Sequence, residues 1–144
     1  MKQLFSTCFL SVLLCSAFAI SVHAIGIRNY DTHYSDQGVC VVGFEIWSEG
    51  ENVKDLKIDV NLLDADGKKL QSGILKVKQL DDHGVMRTGN AKLEIKNKCL
   101  KDLIVEVVKA TAKDSEGKEV LLKVNPQDFN PCKIKVKETP KPNS

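Results

Sequence analysis

The sequence predicts an all-β fold: an antiparallel β-sandwich of about seven to eight short strands. Three observations carry this. Apolar and polar residues alternate with period two through most of the chain beyond Cys40, the spacing of strands with one wet face. Clusters of Asp, Ser, Asn and Gly interrupt these runs at intervals of about 10–15 residues. No stretch repeats apolar residues at the three-and-four spacing of an amphipathic helix.

The chain opens with a segment that does not belong to the sandwich. Lys2 supplies a positive start, residues 4–20 are almost uninterruptedly apolar, and Val22-His23-Ala24 offers small or modest residues before a cut after Ala24. That tripartite order is a secretory signal over residues 1–24. The competing reading is a membrane anchor, since about 20 apolar residues span a bilayer. Here the run is broken by Ser and Thr and lacks a basic stop. The expected organisation is therefore a signal over residues 1–24, a domain over 25–137 and a frayed tail over 138–144, with two prolines in the tail. The product is exported, periplasmic or secreted, with no membrane span.

The first clear strand opens at Cys40, where Cys40, Val42, Phe44 and Ile46 face one way and Val41, Gly43, Glu45 and Trp47 the other. Ser48 to Asn52 breaks it. Leu56, Ile58, Val60 and Leu62 then alternate with Lys57, Asp59 and Asn61, and Asp64-Ala65-Asp66-Gly67 turns the chain. Lys76, Lys78 and Gln79 surround Val77, and Asp81-Asp82-His83-Gly84 is a further polar break. Leu93 and Ile95 form the next alternating pair. Residues 103–108 (LIVEVV) are more continuously apolar, as in a central strand, and Asp114-Ser115-Glu116-Gly117 separates them from a strand over residues 120–124. Lys133, Lys135 and Lys137 alternate with Ile134 and Val136, the pattern of an edge strand protected by charge. Lys98 to Asp102 is left open as a short helical turn.

Beyond the signal three cysteines remain, Cys40, Cys99 and Cys132. Export permits disulfides, and any single bridge leaves one thiol over. Cys40–Cys99 is favoured because each flanks an apolar strand. Cys132 is left unassigned: it stays free, joins two chains, or replaces one member of that pair.

Charge excludes one class of partner. The chain carries +2, and +1 without Lys2, with the signs interspersed, whereas nucleic-acid binding needs a concentrated basic excess. Catalysis lacks its usual parts. The two histidines beyond the signal, His33 and His83, stand beside aspartates in segments expected to be loops, His33 ahead of the first clear strand. Neither forms a Cys–His nucleophile pattern or a metal-ligand spacing. No enzyme activity, metal or cofactor is expected. The alternative keeps His33 or His83 at a small-ligand site of a periplasmic accessory protein, an inhibitor or metal-handling factor.

Trp47 leans toward recognition. Strict alternation points it away from the Phe44–Ile46 side, and tryptophan is enriched at interface hot spots, although a bulge near Gly50 would turn it into the core. Tyr30 and Tyr34 belong either to an additional first strand or to a contact patch. These three are the candidate protein-binding residues.

Taken together, Gly38-Val39-Cys40 opening a strand, Asp55-Leu56-Lys57-Ile58 entering the next, the hairpin run from Leu63 to Leu70 (LDADGKKL), and Cys99 before Asp102-Leu103-Ile104-Val105 make the chain resemble the IrmA family, interleukin receptor mimic protein A. The resemblance implies a fibronectin type III or immunoglobulin-like sandwich in an exported, non-enzymatic binding protein. It also implies a homodimer, with strand exchange as one route to it, and a protein partner such as a host cytokine or its receptor. It carries over no contact residues.

Overall fold

A computed structural model describes residues 23–48, 52–82, 86–96, 99, 102–127 and 132–137. Residues 1–22 of the expected signal, the 138–144 tail, His83 and residues 98, 100 and 101 of the 98–102 segment lie outside these residues. Among the described residues ten strands follow in order: β1 Ala24–Tyr34, β2 Cys40–Ser48, β3 Lys54–Leu63, β4 Lys69–Gln79, β5 Asp81–Asp82, β6 Arg87–Ile95, β7 Ile104–Lys113, β8 Glu119–Leu121, β9 Lys123–Pro126 and β10 Lys133–Val136. The first sheet has the order β5-β6-β2-β1-β9; the second has β10-β7-β3-β4, with β8 also paired to β7. The all-β sandwich expected from the sequence is the fold observed.

Both sheets are mixed. β9 runs parallel to β1, and β10 runs parallel to β7. For β9 the cause lies in residues 120–124, expected as one strand. Glu119–Leu121 pairs with β7, and Leu122 N–H still reaches Ala110 C=O at 2.9 Å. Lys123 N–H then donates to His23 C=O at 2.8 Å in the other sheet. Buried Leu122 marks the crossing. A chain that changes sheets arrives beside a strand it did not just leave, so nothing forces an antiparallel approach.

Two turns share one device. Asp64 C=O accepts from Gly67 N–H at 3.0 Å, and Asp64 Oδ1 accepts from the N–H groups of Asp66 and Lys68 at 3.0 and 2.8 Å. Gly67, at φ 83°, supplies the left-handed residue that closes the β3–β4 hairpin. Asp114 repeats these bonds with Gly117, Glu116 and Lys118 between β7 and β8. The short aspartate satisfies backbone donors that the reversal would otherwise leave open.

The interior is one apolar cluster. Ile25, Ile27, Val42, Phe44 and Ile46 of the first sheet and Leu56, Ile58, Leu62, Leu75, Val105 and Val107 of the second are all buried in it. Each such side chain, fully buried, contributes about 1.5–3 kcal/mol. Cys40 and Cys99 are joined by a disulfide, with Cα atoms 5.2 Å apart and a sequence separation of 59. Cys132 is a buried free thiol, its Sγ 3.8 Å from Thr32 Oγ1.

The start of the sandwich differs from the sequence reading. The expected first clear strand at Cys40 is the second. His33, Tyr30 and Tyr34 belong to β1, which pairs with β2 from Ile25↔Ser48 to Tyr34↔Cys40. His33 is therefore a strand residue. A bulge between Asn29 and Asp31 breaks the period-two pattern there, and buried Asn29, only 1% exposed, stands where an apolar residue would reveal the strand. Its Nδ2 donates to Gly43 C=O at 2.7 Å and Asp31 C=O at 2.9 Å, so the polar group is satisfied inside.

Candidate protein-binding face

The outer face of the first sheet is built by three neighbouring positions on β1 against three on β2. Gly26 is the register partner of Trp47, Arg28 of Glu45, and Gly43 lies opposite the bulge that holds Tyr30. A Cβ built on Gly26 would overlap the indole, and one built on Gly43 would lie 2.9 Å from Tyr30 Cζ. The two aromatic rings thus cover two bare stretches of backbone. Glycine inside a strand otherwise sacrifices packing, and an aromatic neighbour restores it. Between them Arg28 Nε donates to Glu45 Oε2 at 2.5 Å.

This row presents large side chains outward with little freedom. Trp47 is half-buried, neither turned into the core nor lying free, and Tyr30 is 46% exposed. A cavity of about 240 Å³ opens beside the indole, lined by Arg28, Glu45, Trp47, Met86, Thr88 and Gln127. Tryptophan, tyrosine and arginine are the residues that most often carry binding energy at protein interfaces. Rings held against the backbone also lose little freedom when a partner arrives.

The remaining sequence candidates do other work or lie elsewhere. Tyr34 occupies the row of Cys40 rather than that of Tyr30, and its hydroxyl accepts from Cys99 N–H at 3.0 Å, tying the disulfide segment to β1. His33 is exposed, its Nδ1 2.6 Å from Asp31 Oδ2. His83, the other candidate histidine, falls outside the described residues. Among the described residues no group of three or more His, Cys, Asp and Glu side chains converges as metal ligands would. Burial pushes the Cys132 thiol above its ordinary pKa, against a smaller opposing effect of the Thr32 contact, so the neutral form is favoured.

Arg28, Glu45 and Met86 were not singled out by sequence. The available signal was Gly26 and Gly43: glycines at strand-interior positions call for a covering side chain, but which aromatic covers which follows only from the register of β1 against β2.

The comparisons with known proteins agree with this architecture. The family model described as IrmA, interleukin receptor mimic protein A, matches residues 25–128, well over half of the 144. A solved structure whose title describes the structural characterization of IrmA from Escherichia coli is similar over 76% of this chain and 95% of that one, with 29% sequence identity and a TM-score of 0.59. Among curated proteins, none matches.

Proposed function

The chain belongs to the IrmA family, interleukin receptor mimic protein A, and from that premise we propose that it is an exported, non-enzymatic module that binds a protein partner through the outer face of its first sheet. The observation that carries this reading is the Trp47, Arg28–Glu45 and Tyr30 row, with both rings seated on glycine backbone. The family description favours a partner from host immunity, a cytokine or a cytokine receptor. In this reading residues 1–24 are removed on export, residues 25–137 form the binding domain and residues 138–144 trail from it. A homodimer is the assembly that the resemblance implies.

The disulfide between Cys40 and Cys99 supports an oxidising destination. Cleavage after Ala24 would leave Ile25 as the first residue and retain every β1–β2 pair from Ile25↔Ser48 onward.

The reading is tested by surface plasmon resonance of the processed protein against a panel of interleukins and interleukin-receptor ectodomains, with Trp47→Ala and Tyr30→Ala in parallel. Saturable binding to a panel member, weakened about tenfold or more by Trp47→Ala in a protein that still melts cooperatively, is expected. Binding that ignores both substitutions removes this face from the reading. The absence of any saturable partner in the panel removes the immune assignment.

A further inference from the structure

Edges of the two sheets are mostly short. β5, β8, β9 and β10 have two to four residues each, too few to template another strand. β4 is the exception, with eleven residues at the end of the second sheet. It pairs with β3 from Lys54↔Gln79 to Leu63↔Lys69, and among the described residues no strand pairs with its other side. Near its start, Gln71 clips it to β6: Nε2 donates to Glu94 C=O at 2.8 Å, and Oε1 accepts from Lys96 N–H at 3.4 Å. Residues 74–79 lie beyond that clip.

In this stretch Leu75 and Val77 enter the core, while Ile74 (51% exposed), Lys76 and Lys78 line the outer row. Lys76 stands directly opposite Lys57 on β3. Like charges in that position repel. Lys57, Lys76 and Lys78 take part in none of the salt bridges seen among the described residues, such as Arg28–Glu45, Lys113–Asp55 and Lys135–Glu106. All three line a cavity of about 370 Å³ on this face. Of the two carboxylates there, Asp55 lies 3.4 Å from Lys113 and Glu119 is the register partner of Lys113. One strand position further along, Asp59 lies opposite Ile74 and Lys109.

Lysines on an edge strand keep copies of a chain from pairing with one another. Lys76 and Lys78 serve that purpose. Lys57 does not, because it sits one strand inside the edge and only adds repulsion. An external anion would relieve it.

We propose that the edge of β4 over residues 74–79 accepts an extended acidic segment of another protein by strand addition. The partner's backbone pairs with β4, and its carboxylates meet Lys76 and Lys78 with Lys57 behind them. β4 dictates the alternation: acidic residues on the lysine side, apolar residues on the side of Leu75 and Val77. A second copy is a poor occupant, since β4 against β4 brings lysine to lysine. This site is on the other sheet from the Trp47 face and does not depend on it.

The probe is a short capped peptide alternating glutamate with valine, added to the full processed protein at low salt and followed by calorimetry and amide hydrogen exchange. Saturable binding that adds protection over residues 74–79 and weakens with salt is expected. The double substitution Lys76→Glu, Lys78→Glu, both exposed and therefore compatible with folding, should cost about tenfold in affinity and transfer preference to a lysine–valine peptide. Trp47→Ala should bind the glutamate peptide as the parent does, so failure here is separable from failure of the first-sheet reading. The same peptide N-methylated at every amide must not bind, because strand addition needs those donors. Equal binding of the methylated peptide, binding of a sulfated oligosaccharide without any of the acidic peptide, or self-association through β4 would each overturn the proposal.

Discussion

Trp47 and Gly26 face each other across β1 and β2 as register partners, and the indole lies where a side chain at position 26 would stand. The relationship makes a residue on the wet face of a sheet half-buried without drawing it into the core. Tyr30 over Gly43 repeats it a few residues along the same strand pair. Side chain and backbone are fitted in complement, so each can be perturbed from either side.

Gly26→Ala should displace the indole rather than break the strand. The expected outcome is a red-shifted tryptophan fluorescence and a loss of about 1–3 kcal/mol in denaturant unfolding, the cost of overpacking. Trp47 is the single tryptophan, so the emission reports this site alone. An unshifted spectrum would mean that the ring does not rest on the glycine.

Asn29→Leu is expected to destabilise the protein although it replaces a buried polar residue by an apolar one. The carboxamide bonds Gly43 C=O and Asp31 C=O at the β1 bulge, and leucine would leave those carbonyls without this donor. Chemical denaturation should show a loss of about 1–3 kcal/mol. A neutral or stabilising effect would show that the bulge does not need the amide.

Replacing both Cys40 and Cys99 by serine opens a link spanning 59 residues and should lower stability by about 2–4 kcal/mol. Differential scanning calorimetry with and without reductant checks it: reductant should lower the melting temperature of the parent and leave that of the double variant unchanged.

Cys132 should resist iodoacetamide at neutral pH in the folded protein and react fully in denaturant, since burial raises its thiol pKa. The sign follows. Folding holds the proton on, so this contribution is present below the ordinary thiol range and fades as pH rises through the raised value. Rapid native-state alkylation, read by mass spectrometry, would contradict the buried placement.

Glu106 sits in a polar ladder crossing the second sheet: Ser72 Oγ donates to Asn61 Oδ1, Asn61 Nδ2 donates to Glu106 Oε1, and Lys135 Nζ lies 3.4 Å from Glu106 Oε2. The Asn61 bond holds the Glu106 carboxyl below its ordinary pKa against partial burial, with Lys135 and Lys137 assisting. Its contribution is therefore present above the ordinary carboxylate range and is lost as pH falls through the lowered value. Glu106→Gln should flatten that acid limb by less than about 1 kcal/mol, because Lys135 is half exposed. Unfolding curves between neutral and acidic pH decide it; an unchanged limb would remove Glu106 from the acid response.

Much of the fold can be read along the chain. Alternation at Cys40–Ile46 and Leu56–Leu62 reports strands because side-chain direction is a local property of extended backbone, and the Asp64 and Asp114 turns are legible because their bonds close within four residues. β1 is hidden where a bulge and a buried asparagine break the period. The division of residues 119–126 between two sheets is hidden because both halves alternate equally well. The face with Trp47 and Tyr30 is only half legible: alternation points the tryptophan outward, but Gly26 and Gly43 acquire their meaning from register. The sequence by itself determined that this is a β chain with an apolar interior, its turns and its candidate bridging cysteines. Only the tertiary structure decided which strands adjoin, which aromatic covers which glycine and which lysines stand opposed, because pairing across a sheet depends on residues far apart in the chain, and no local period records it.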